Sequence, residues 1–235
     1  MEKRSLLISF SGIDGSGKST LVGGLGRYLR EQGIETRTVW GAYELYLLRP
    51  VLHFLRKMLL KRKQKGGGAG DYGRYQDSLE KIGRISPLFK IYRAFILCEY
   101  LLEILVKVRL PLLRGRNIIA DRYVFDTATN LAANYGFTHE AHRRLIDALL
   151  KVCPKPDLAF YVDVPEEVAV RRKKDIPSIL YVQKRRKYYR DIAARYGMIL
   201  LDGSTDPDAL QEQMTGFLGP LLAGVAKGGS RLQAT

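Results

Sequence analysis

Leu6, Leu7, Ile8 and Phe10, with Ser9 between them, make a short apolar run that predicts a buried strand, and the mixed stretch from about Lys18 to Arg30 predicts a helix after it. Gly33 suits that helix's C-cap, and Glu35–Trp40 (ETRTVW) alternates into a second strand. Gly23, Gly24 and Gly26 weaken the first helix by up to about 1 kcal/mol each relative to Ala, which implies close packing on a sheet. Ile91–Val108 sets Phe95, Leu97, Leu101, Leu102 and Leu105 at helical spacing and predicts a long helix buried on one side. Short strands are predicted at Asn117–Ala120, Asp157–Val162 and Met198–Leu201. Pro165-Glu166-Glu167 opens a helix, Lys184–Ala194 forms another, and Gly203-Ser204-Thr205 turns into a final amphipathic helix. The tail from Ala226 is expected to be disordered, and no internal repeat is visible.

Strands alternating with helices imply a three-layer α/β/α sandwich around a mostly parallel sheet. A chain of 235 residues suits one such domain, over about 1–225, with an insertion at about 41–93. That insertion reads as a Leu/Tyr-rich helix, a basic run at Lys61–Lys65, and a glycine-rich loop at Gly66–Gly70. Arg49 to Arg93 holds twelve Lys or Arg against three Asp or Glu, more than half of the net charge of +15. Three readings of this excess stand open: a solvated, mobile insertion, a basic amphipathic surface that meets an anionic membrane, and a subunit contact.

The overall charge favours anionic partners, but no helix-turn-helix, RNA-recognition or zinc-finger signature argues for nucleic acid. Cys98 and Cys153 stand apart without metal-ligand spacing, which fits a reducing, cytoplasmic compartment; the membrane reading of the insertion would place the protein at the membrane's inner face. Charged residues interrupt both longer apolar stretches, Leu45–Leu60 and Ile91–Leu113, before either reaches membrane-spanning length. The apolar run after Met1–Arg4 is too short for a signal peptide.

Chemistry enters directly after the first strand. Gly12, Gly17, Lys18 and Ser19 fit G-x-x-x-x-G-K-[ST], a phosphate-binding P-loop in its strand-to-helix context. Gly12, Ile13, Asp14, Gly15, Ser16, Gly17, Lys18, Ser19 and Thr20 are therefore the candidate ATP-binding residues. Lys18 would place a cation on the transferring phosphate, and the Ser19 hydroxyl would ligate Mg²⁺. Asp121-Arg122-Tyr123 ends the third predicted strand, where a parallel sheet opens its ligand crevice. Asp121 there can hold Mg²⁺ or orient an acceptor, and Arg122 can clamp a phosphate; a plain surface ion pair is the alternative. Arg171-Arg172-Lys173-Lys174 begins a candidate lid over about 171–184, the alternative being a solvated basic face.

Three stretches resemble the thymidylate kinase family of P-loop nucleoside monophosphate kinases: FSGIDGSGKSTL at Phe10–Leu21, IIADRYVFD at Ile118–Asp126, and PDLAFYVDVPEEVAVRR at Pro156–Arg172. The resemblance implies in-line transfer of a phosphoryl group from ATP to a small-molecule acceptor, thymidylate by default, with Mg²⁺ and with a homodimer as the assembly. It implies that Asp14 faces the reacting phosphates, that Asp121, Arg122, Tyr123 and Asp126 meet the acceptor, that Arg171 and Arg172 belong to the lid, and that the loop after Leu201 lies against adenine. Lys18, Asp14, Arg122, Arg171 and Arg172 are thus the candidate catalytic set. The chain departs from the family at Ser11, where a Glu is usual, and at Trp40-Gly41-Ala42-Tyr43, which replaces an Arg-Glu-Pro-Gly-like turn. It departs again near Glu99-Tyr100, usually Asp-Arg, and at Asp126 and Asn130-Leu131, usually Ser and Tyr-Gln. These departures keep two alternatives open: a kinase of a sugar, glycan or lipid-linked acceptor at a membrane surface, and a nucleotide-binding regulator without transfer.

Overall fold

Leu7–Ser11 forms β1, buried at every position because a central parallel strand is covered on both faces; the small serines Ser9 and Ser11 are buried with the apolar residues. The computed structural model describes residues 5–43, 80 and 87–229. Along the chain follow α1 (Lys18–Glu31), β2 (Thr36–Trp40), α2 (Pro87–Ile104), a π-helical turn (Leu105–Arg109), α3 (Leu110–Leu113), β3 (Asn117–Asp121), α4 (Val124–Tyr135) and α5 (His139–Val152). The remainder is β4 (Leu158–Asp163), α6 (Glu166–Arg172), α7 (Ile179–Arg195), β5 (Ile199–Asp202) and α8 (Pro207–Gly229).

The five strands stand in the order β2-β3-β1-β4-β5, and every pairing is parallel. Alternation along β1 divides the core in two. Leu7 joins Ile118, Ala120 and Tyr161 beneath α2, α4, α5 and α7, whereas Ile8 and Phe10 join Ile119, Phe160 and Val162 beneath α1 and α8. This is the three-layer arrangement expected from the pattern of elements.

Several local expectations are corrected. The buried face of α2 is Ile96, Tyr100 and Ile104, continued by Val108; Phe95, Leu102 and Leu105 are exposed. The helix is apolar nearly all round, so spacing alone does not choose its inner face. Pro111 lacks the N–H that a regular helix would donate to Lys107 and its ring crowds that carbonyl, so the chain widens into the π-turn just before it. Gly24 packs on the Gln211 side chain of α8 rather than on the sheet, and Gly23 faces open space. The last helix runs on to Gly229, past the Ala226 start of the expected disordered tail. The basic run, the glycine run and most of the insertion (44–79 and 81–86), like 230–235, lie outside the described residues. Among the described residues no helix is long and apolar enough to cross a membrane.

Candidate active site

The loop from Gly12 to Gly17 curls because two of its positions admit no side chain. At Gly12 (φ 148°) a Cβ would stand 2.4 Å from the Val162 carbonyl oxygen of β4, and at Gly15 (φ 79°) one would stand 2.4 Å from the Ala169 carbonyl oxygen of α6. The cradle is thus shaped by β4 and α6 as well as by its own spacing. Lys18, in the first turn of α1, is almost fully buried and folds back, its Nζ donating to the Ile13 carbonyl (2.6 Å) and to Ser16 Oγ (2.9 Å). Ser19 Oγ donates to Asp121 Oδ2 at 2.6 Å, tying the helix start to the end of β3.

β3 pairs beside β1, Phe10 opposite Asp121, so the strand ends deliver Asp121 and Arg122 to the P-loop. Arg122 is buried, with NH1 donating to the Gly12 carbonyl (3.0 Å) and to Asp126 Oδ1 (3.1 Å) and NH2 donating to Asp14 Oδ1 (2.6 Å). Asp126, one turn into α4 and fully buried, also accepts from Ser11 Oγ (2.7 Å), from the Tyr123 backbone N–H (3.1 Å) and from the Tyr189 hydroxyl (2.6 Å). Ser11 and Asp126, both departures from the family pattern, are therefore partners. Tyr123, expected at the acceptor, instead turns its ring into the core and donates its hydroxyl to the Pro154 carbonyl at 2.9 Å. The chain reverses at Arg122, and the next side chain points away from the crevice.

On the lid side, Lys173 reaches Asp14 at 3.5 Å, and the Tyr181 hydroxyl donates to Asp14 Oδ2 at 3.3 Å. Arg172 donates to the Gly203 carbonyl (2.8 Å), and Gly203 itself lies against the Ser16 carbonyl, so the loop after β5 borders the P-loop. Arg171 is exposed and makes no hydrogen bond or ion pair among the described residues. Helix α6 ends at Arg172, and the extended backbone of Lys173 redirects the chain toward the crevice, so Lys173 rather than Arg171 arrives there. Besides Lys173, already part of the basic run read as a lid, two residues that sequence reasoning did not single out belong to this wall: Tyr181 and Arg185. Arg185 is buried against Tyr181, its Cζ 3.5 Å from the ring centre, and donates to the Asn130 and Asn134 side-chain oxygens at 2.9 and 2.7 Å. Behind it, Arg186 and Arg190 both donate to Asp163 at the end of β4, with Arg186 also on Glu166 of α6; this fixes the position of α7.

Electrostatics follow from crowding. Burial pushes the Asp14 carboxyl upward, but Arg122, Lys173 and Lys18 together with the Tyr181 hydroxyl outweigh it and leave Asp14 more acidic than usual. Burial, aided by the Arg122 charge and only partly opposed by Asp126, Asp14 and Asp121, pushes Lys18 down to about 7. An arriving polyphosphate stabilises the ammonium form and raises that value again. Nucleotide binding is therefore expected to take up a proton above pH 7, approaching one per site near pH 8 and falling away below pH 6. Calorimetric titration of ATP in buffers of different ionisation enthalpy measures this, and uptake that does not change with pH would refute it.

The residues fit the groups that a P-loop implies. The Gly12–Thr20 cradle and Lys18 suit the phosphates of ATP. Ser19 and Asp121 suit Mg²⁺, because the second oxygen of Asp121, Oδ1, is buried beside the Ser19 hydroxyl without a hydrogen-bond partner among the described residues.

No family model matches the chain. Curated proteins do. The thymidylate kinase of Dinoroseobacter shibae is 32% identical over 177 residues, covering 73% of this chain and 70% of its own length. That of Chlorobium luteolum is 29% identical over 180 residues, with the same coverage of 73% and 70%. That of Jannaschia sp. is 27% identical over 234 residues, covering 93% of this chain and 98% of its own. These relatives lend no support to a non-nucleotide acceptor or to a regulator without transfer. Similarity at this level, sustained over most of both chains, places the protein in the thymidylate kinase family, as a phosphotransferase of the nucleoside monophosphate kinase class.

Proposed function

We propose that the protein transfers the γ-phosphoryl group of ATP to thymidylate, giving ADP and thymidine diphosphate. The observation that carries this reading is the placement of Arg122. Its guanidinium lies between the P-loop carboxylate Asp14 and the α4 carboxylate Asp126, next in sequence to the Asp121 that holds Ser19, so groups suited to donor and acceptor phosphates adjoin. An acceptor phosphate held by Arg122 has an oxygen free to attack the γ-phosphorus while the bond to the β-phosphate oxygen breaks and ADP leaves. Lys18 and the P-loop N–H groups balance charge on the transferring group, and Lys173 brings a cation from the lid side. Mg²⁺ held by Ser19 and Asp121 would neutralise the β- and γ-phosphate oxygens. Positioning and charge stabilisation suffice, and no covalent enzyme intermediate is needed.

The test is ADP release with Mg-ATP against dTMP, dUMP, the remaining nucleoside monophosphates and buffer alone. Saturable turnover strongest with dTMP is the expected result. Inactivity with every monophosphate, in protein whose melting temperature rises with ATP, would overturn it.

A further inference from the structure

Arg122 carries the acceptor side of the reading above, yet its conformation is costly to hold. It has φ 70°, the sole non-glycine residue in the left-handed region among those described. Two consecutive residues at the end of β2 grip it. Trp40 lies opposite Asp121 in the sheet, and its ring sits 5.3 Å from the Arg122 guanidinium carbon. Gly41 donates its N–H to the Asp121 carbonyl at 3.1 Å and passes so close to Arg122 that a Cβ would stand 2.5 Å from the Arg122 carbonyl oxygen. The indole remains 41% exposed, unlike the core aromatics, at the carboxyl ends of the strands where ligands enter such sheets. A side chain serving only as core filling would not leave this much apolar surface at the rim of the crevice.

We infer that Trp40 is a positioning residue for the acceptor: its ring holds the Arg122 guanidinium at the angle that meets the acceptor phosphate, and it forms the apolar wall that the acceptor covers. The attraction is that of a cation for the face of an indole, which Asp14 and Asp126 supplement from the other side but do not replace. Because Trp40 is a surface residue at a strand end, its replacement spares the core.

Trp40→Leu is expected to raise KM for dTMP between about 2- and 30-fold while KM for ATP changes little. Trp40→Phe, which keeps an aromatic face, restores most of the difference. A second measurement does not depend on activity. In an unfolding cycle of Trp40→Leu, Arg122→Ala and the double variant, the two sites are expected to couple by about 2- to 30-fold in the unfolding equilibrium constant. Absence of coupling, or a leucine variant with the wild-type KM for dTMP, would overturn the inference. The inference rests on the acceptor reading for its role in catalysis, and the two failures differ. A wild-type protein inactive with all monophosphates refutes the function, while the unfolding cycle still decides whether Trp40 holds Arg122.

Discussion

Lys18→Ala is expected to lower phosphoryl transfer by about a thousandfold or more, because it removes the buried P-loop cation that would balance charge on the transferring group. The fold should not suffer. Burying an ammonium opposes folding, as the depressed value of Lys18 records, and the two groups it touches, the Ile13 carbonyl and Ser16 Oγ, belong to the P-loop itself. Single-turnover kinetics together with a thermal melt separate the two effects. A variant that transfers at nearly the wild-type rate would refute the P-loop assignment; one that is inactive because it is unfolded would refute the view that Lys18 serves catalysis at no gain to the fold.

Arg122→Ala is expected to act on stability and on acceptor use together. Asp126 has no exposed surface, and losing its cation leaves a buried carboxylate supported by Ser11, Tyr189 and one backbone N–H. Breaking such a pair costs about 3 kcal/mol, the lower end of its range, because those three hydrogen bonds remain. Adding Asp126→Asn removes the stranded charge, so the double variant should regain most of that stability. It should not regain activity: acceptor kcat/KM is expected to stay about 100-fold or more below wild type, since the guanidinium fork that would hold the acceptor phosphate is gone. ATP affinity, read by calorimetry, should be kept in both variants. Equal losses for ATP and acceptor would show that Arg122 serves the donor side.

What could be read in advance divides along sequence distance. The P-loop was legible because its glycines, Lys18 and Ser19 lie within eight residues and obey one spacing rule. Asp121 and Arg122 were legible because strand ends in a parallel sheet point at the crevice. Neighbouring residues at a chain reversal were not: Tyr123 follows Arg122 directly yet points into the core. Arg171-Arg172-Lys173-Lys174 read as one basic lid run, and which of its members reaches Asp14 was not legible: α6 ends at Arg172 and Lys173 arrives there, a one-residue matter that composition does not settle. The Ser11–Asp126–Tyr189 chain joins residues 115 and 63 positions apart, and Arg185 reaches Asn130 and Asn134 across 55 and 51. No local pattern announces such contacts. The helices α4 and α5 went individually unread although local signals mark where one ends and the other begins, Gly136 as the C-cap of α4 and Thr138 as the N-cap of α5.

The central place of β1 in the sheet has a consequence for how the protein comes into being. The P-loop is made before either strand that flanks it, because β1 has no sequence neighbour beside it: its partners start 110 residues later at Asn117 and 151 residues later at Leu158. Gly12 and Gly15 take their shape against Val162 and Ala169, so a nascent chain carries the phosphate motif long before it can bind a phosphate. Closing loops of that length is slow, and nucleotide would reward only the last stage of folding, when β4 has docked. ATP bound there would thus be a ligand of the folded molecule only, and its binding would report that β4 has docked on β1.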